Sequence, residues 1–138
     1  MLLYLNKVEV CNARHLHTVV IDNEKKCAIV QDWVPWEIIP AVQLSSLTIT
    51  DEMRNGQRVY TSKLTIRLQQ PDIQLPSQAA FRLTDVDGRQ YLLGLSERPY
   101  PACNVEETRP ADPSEPSLSV LKVEQLSIHP MLRICDLS

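Results

Sequence analysis

The dipeptide Asn55-Gly56, set between two β-rich runs that extend from Val42 to Leu68, constrains this chain more than any other feature. Asn-Gly suits a two-residue type I′ turn because both central positions need positive φ. Such a turn sets Arg54 against Gln57, and therefore Leu47 against Leu64 and Ser45 against Ile66. Leu47, Ile49, Leu64, Ile66 and Leu68 then share one face, and Thr48, Thr50, Thr61, Lys63 and Arg67 share the other. A slip of one residue would set Leu47 against Lys63 and Ile49 against Thr61, mixing the faces. The two-residue turn is the expectation.

A second hairpin, from about Gln78 to Ser96, gives the opposite answer. A two-residue turn at Asp87-Gly88 would oppose Phe81 to Gly94 and leave Tyr91, Leu93 and Leu95 on the wrong face. A three-residue loop, Val86-Asp87-Gly88, with Gly88 in a left-handed bulge position, pairs Asp85 with Arg89. Phe81, Leu83, Tyr91, Leu93 and Leu95 then line one face, while Arg82, Thr84 and Gln90 line the other. Leu92 and Gly94 fall on that polar face, which calls for a neighbouring segment over Leu92.

Leu2–Cys11, Leu16–Ile21 and Cys27–Trp33 also read as strands, rich in Val, Ile, Leu and Tyr, with a polar turn at residues 22–26. Pro35 and Pro40 bracket Trp36–Ile39, a loop or one short helical turn. Residues 98–117 carry prolines at 99, 101, 110, 113 and 116 with several acids, so this stretch reads as a proline-rich arm or long loop on an extended path. Strand composition returns over Leu118–Ile128, with a further apolar stretch at Met131–Ile134. That terminal segment, 118–134, either folds back onto the core strands of residues 1–97 or reaches a neighbouring copy. No dozen residues keep a clean helical period. The expected class is all-β, a single domain over 1–138 forming an antiparallel β-sandwich or partly open barrel of about seven or eight strands with little helix.

A domain of 138 residues buries about two-thirds of its unfolded surface, enough for one core. Net charge is −3, from 14 basic and 17 acidic side chains, without the clustered Lys and Arg that a phosphate backbone attracts, so nucleic acid is not an expected partner. The first residues show no basic start followed by a sustained apolar run, so neither an export signal nor a membrane helix is expected. Cysteines stand at 11, 27, 103 and 135 with no CxxC; in a chain read as made in the cytoplasm they are expected to be free thiols.

Cys11, His15, His17 and Cys27 are soft enough to bind zinc, and in a strand the two imidazoles would point the same way. Their spacing matches no zinc finger, and a turn with two core thiols accounts for them equally, so no metal site and no cofactor is assigned. Asp85-Val86-Asp87-Gly88 opens like a calcium loop but lacks its later oxygen ligands, and reads as the hairpin turn. No nucleophile elbow or phosphate-cradling glycine loop occurs, so no catalytic residue is assigned and the chain is expected to be non-enzymatic. The most interface-like residues are Trp33 and Trp36, with Tyr100: large aromatic contact area either closes a core or presents a binding surface.

The run Phe81 to Pro101, in which a hairpin with an Asp-Gly turn leads into Arg98-Pro99-Tyr100-Pro101, resembles small structural proteins encoded among the structural genes of bacterial prophages. The resemblance implies a structural or interaction module of a virion or tail assembly, made in the host cytoplasm and incorporated into the particle, with other copies or other particle proteins as partners. It carries over no site residues. The alternative is a small-ligand or carbohydrate-binding β module using Trp33, Trp36 and Tyr100.

Overall fold

In a computed structural model, which describes residues 2–22, 24, 26–42, 44–69, 73–96, 100–108 and 118–135, the apolar runs become eleven strands. These are β1 (Leu2–Asn12), β2 (Val20–Asp22), β3 (Cys27–Ile29), β4 (Glu37–Ile38), β5 (Ser45–Arg54), β6 (Gln57–Leu68), β7 (Ala79–Asp85), β8 (Gln90–Leu93), β9 (Ala102–Thr108), β10 (Leu118–Ser127) and β11 (Leu132–Ile134). They form one open sheet in the order β2-β3-β11-β8-β7-β1-β5-β6-β10-β9, with β4 added to β1. The chain is all-β, and the helical element among the described residues is a single 3-10 turn, Ala13–Leu16. Every pairing is antiparallel except β3 with β11, which makes the sheet mixed.

Both hairpins adopt the expected registers. Arg54 faces Gln57 and Leu47 faces Leu64 across a turn with φ of 50° at Asn55 and 79° at Gly56. In the second, Thr84 faces Gln90 and Leu83 faces Tyr91, and the Asp85 amide donates to the Arg89 carbonyl (2.9 Å) around Gly88 at φ 86°.

The sheet cannot be flat. Ser127 at the end of β10 and Leu132 at the start of β11 are five Cα steps apart, roughly 18 Å at full extension. In sheet order the same two strands are six spacings apart, roughly 29 Å if laid flat. The sheet therefore curls, and its inner face makes one cluster. Leu64, Ile66 and Leu68 of β6 and Leu121 and Val123 of β10 meet Phe81, Leu83 and Leu93 there, with Leu5, Val8 and Leu47 between them.

A second cluster lies on the other face of β1, β7 and β8, where Cys11, Ala80 and Leu92 meet Leu16, Val34 and Ile134. Here Leu92 finds its cover, because Leu132 of β11 pairs opposite it. Leu95, expected on the inner face with Leu93, packs instead against this second cluster, since β8 ends at Leu93 and alternation no longer holds. Gly94 must be glycine: its φ is 97°, and a Cβ would meet ring carbons of Pro101 at 3.0 Å.

Four segments depart from expectation. Leu16–Ile21 is not one strand: Asn12 caps the 3-10 turn through its side chain, and only Val20–Asp22 extends. The third strand stops at Ile29, with Asp32–Trp33 in a turn. Trp36–Ile39 contains the two-residue β4, held to β1 through Glu9 and Val10. The stretch 98–117 is more than an arm: its proline-free interior, Ala102–Thr108, forms β9 at the edge of the sheet, paired to β10. Pro99, Pro110, Pro113 and Pro116 lie outside the described residues. The terminal segment pairs at home, β10 joining β6 and β9 of the same chain.

Candidate functional site

On the inner face, aliphatic side chains give way to polar ones toward one end of β5, β6 and β10, and two features follow. Where Leu47 and Ile49 would continue on β5, the sequence places Asp51 and Met53, opposite Tyr60 and Arg58 of β6. The aliphatic run that curls onto the core ends there. Among the described residues β1 accompanies β5 only as far as Thr48, and β10 accompanies β6 only as far as Tyr60. Residues 52–59 thus project as a two-stranded ribbon, about 10 Å beyond the sheet at 3.4 Å per residue. Ion pairs Asp51–Arg58 and Glu52–Arg54 dress it, all four side chains are exposed, and Met53 stands 60% exposed near the tip.

The second feature lies at the base of that ribbon. Gln125 faces Ser62 and Ser127 faces Tyr60, a square of polar side chains where the inner face would otherwise carry aliphatics. They help to line a cleft of about 740 Å³ along the seam of the curled sheet, walled by the β10–β11 connection and by the ends of β2 and β8. Composition could not have found it, but the alternate-position signal Tyr60-x-Ser62 and Gln125-x-Ser127 is visible in the sequence.

The aromatic trio is dispersed. Trp33 is half exposed, and its ring lies 6.3 Å from that of His15 and 5.9 Å from that of His17. Trp36 packs on the second cluster under the Arg82 guanidinium, 5.0 Å from the ring centre. Arg82 in turn clamps the buried Glu9 through two hydrogen bonds of 2.9 and 2.6 Å, a charge pair on the outer face of β1 and β7 that Trp36 helps to cover. Tyr100 also packs there, its hydroxyl donating to the Ser96 carbonyl (3.1 Å).

The cysteine expectation is overturned for two residues. Cys27 and Cys135 form a disulfide with Cα atoms 5.1 Å apart, and Cys11 and Cys103 are free. The pairing follows from the parallel register, in which Arg133 and Ile134 lie beside Cys27 and Ala28, and it spans 108 residues. Burial pushes the Cys11 thiol up to about 12, the nearby Arg82 opposing the shift only in part. His15 and His17 sit in and just after the 3-10 turn rather than on a strand, where His17 Nδ1 contacts the Arg14 carbonyl at 2.9 Å. Among the described residues no three His, Cys, Asp or Glu side chains group to hold a metal ion. The carboxylate of Asp85 is occupied by the turn, accepting from the Asp87 and Arg89 amides at 2.9 Å each.

Among the described residues no helix is long and apolar enough to cross a membrane. No protein-family model, curated protein or solved structure matches the chain.

Proposed function

We propose that this chain is a non-enzymatic structural module of a prophage-type virion or tail assembly, joining other copies or other particle proteins through strand surfaces rather than through a catalytic centre. The observation that carries the reading is the projecting ribbon of residues 52–59. A two-stranded ribbon is marginal in water by itself, and contact with a partner would stabilise it. Among the described residues β9 is an edge strand, exposed over Ala102–Glu106, and an edge offers backbone groups of the kind that strand addition uses. The Cys27–Cys135 bond agrees with a particle that leaves its host, since such bonds persist in oxidising surroundings.

The test shortens the ribbon without disturbing its register. Deleting Met53, Arg54, Gln57 and Arg58 removes two facing pairs and keeps Asn55-Gly56 between Glu52 and Val59. An even number of pairs preserves which side chains face inward. Light scattering after size-exclusion chromatography is expected to show self-association of the full chain at millimolar concentration, lost in the shortened one. A full chain that stays monomeric there overturns joining by copies, and equal association of both chains removes the ribbon from it. The alternative, a carbohydrate-binding module, rests on the exposed ring of Trp33, since Trp36 and Tyr100 pack against the second cluster. Tryptophan fluorescence unmoved by a broad glycan panel would remove it.

A further inference from the structure

The cleft at the ribbon's base combines three kinds of wall that the assembly reading does not use. Its apolar sides come from Ile21 of β2, Leu92 and Leu95 at the end of β8, and Ile128, Met131 and Leu132 of the β10–β11 connection. Two of these are poorly covered: Ile21 is 44% and Ile128 55% exposed, a cost that an occupant in the cleft would relieve. The floor is the square of Tyr60, Ser62, Gln125 and Ser127, with Ser62 only 5% exposed, so hydroxyl and amide groups are brought to the wall of an otherwise oily space.

The third kind of wall decides the class of ligand. Among the described residues no acidic side chain lines the cleft, while Lys26 and His129 both contribute. Lys26 has φ 54° in the turn before β3, a conformation few side chains favour, and it lies on the cleft wall. Ammonium, imidazole and hydroxyl groups are donors that a carboxylate accepts from, and among the described residues no carboxylate lines the wall beside them. The volume lies within the roughly 300–1,000 Å³ usual for small-ligand sites, and the mouths of curled sheets are a common place for them.

We propose that this cleft binds a single-chain amphiphile with a carboxylate head, its alkyl chain laid against Leu95, Ile128 and Met131 and its head held by Lys26 with His129 and the hydroxyl floor. The site takes the apolar body by area and selects the head by charge, so chains of equal length with different heads separate the two contributions.

The probes are decanoate, a decyl glucoside and decyltrimethylammonium, titrated below micelle formation into the full chain by calorimetry. Decanoate is expected to bind saturably at one site, about tenfold more tightly than the neutral glucoside, with the cation weakest. Lys26→Asn keeps a residue that tolerates positive φ while removing the charge, and is expected to lower decanoate affinity about tenfold and leave the glucoside unchanged. Ile128→Asp, at an exposed rim position, is expected to weaken decanoate most of all three probes. Unaltered thermal melting of both variants ties the losses to the cleft rather than to the fold. Absence of saturable decanoate binding, equal affinity for the three heads, or variants that bind as the parent chain does, would each overturn the site.

Discussion

The long strands β6, β7 and β10 give the first hydrophobic cluster two or three side chains each at alternate positions, as Leu64, Ile66 and Leu68 do from β6 and Leu121 and Val123 from β10, while β1 gives Leu5, Val8 and Val10 across a bulge. The second cluster takes scattered contributions from short segments: Cys11 from β1, Leu16 from the 3-10 turn, Ala28 from β3, Val34 from a loop, Leu92 from β8 and Ile134 from β11. Ladder pairing fixes most of the first, because a register places all the inward side chains of a strand at once. The second has no such local rule. β3 and β11 are three residues each, too short to hold a register by pairing alone, and a disulfide ties Cys27 of β3 to Cys135, the residue after β11. One core is organised by periodicity and the other by closure of the chain.

The largest effect that separates these two modes is expected from Phe81→Ala. Phe81 is fully buried in the first cluster, and its β7 neighbour Ala80 faces the second. Removing the ring should cost about 3–5 kcal/mol, read as a lower denaturant midpoint with unchanged slope. A loss near zero would deny that the curled sheet closes over this ring. Next in size is Cys135→Ser, which opens a loop of more than a hundred residues and should cost about 2–4 kcal/mol. Hydrogen exchange should then quicken at Ala28 and Ile134 while the ladder amides of β6 and β10 keep their protection. Thiol titration of the unfolded parent chain should count two groups before reduction and four after; four before reduction would mean that the bond does not form.

The same division explains what the sequence made legible. Both hairpins, their different turns and the inner-face residues from Leu47 to Leu93 follow from period-two alternation meeting a glycine turn, and both rules act over a few residues. Strand composition also located β10. What escaped depends on distant partners. β9 hides inside a proline-rich stretch because its reason to extend is β10, and β4 exists only because Glu9 and Val10 leave room beside them. Cys27 and Cys135 become neighbours only once β11 slides between β3 and β8. Leu92 shows the limit from both sides: alternation placed it correctly on the outer face and required a cover, but could not say that β11 supplies it. The cleft residues were printed as polar breaks in an oily face, and only the curl of the sheet shows that the breaks converge.

The smallest effect is expected from pH, and it tests whether the patchwork cluster is as dry as the ladder cluster. Cys11 lies in the second cluster at 4% exposure, and burial raises its thiol from 9.0 to about 12 in the folded chain. The unfolded chain therefore releases this proton first as alkali is added. Stability from the protonated, buried thiol is fully present below pH 9 and is lost as pH rises toward 12, by about 1 kcal/mol at pH 10. The quantity to measure is the difference between the parent chain and Cys11→Ala, in which groups common to both cancel. Unfolding curves taken at intervals from pH 7 to pH 11 should show that difference constant up to about pH 8 and then moving in favour of the variant. In the folded chain at pH 8, an alkylating reagent should reach exposed Cys103 well before Cys11, because a thiol with so high a pKa holds almost no thiolate. A parallel pair of stability profiles, or Cys11 alkylated as fast as Cys103, would mean that water enters the second cluster and that closure by β11 and its disulfide does not seal it.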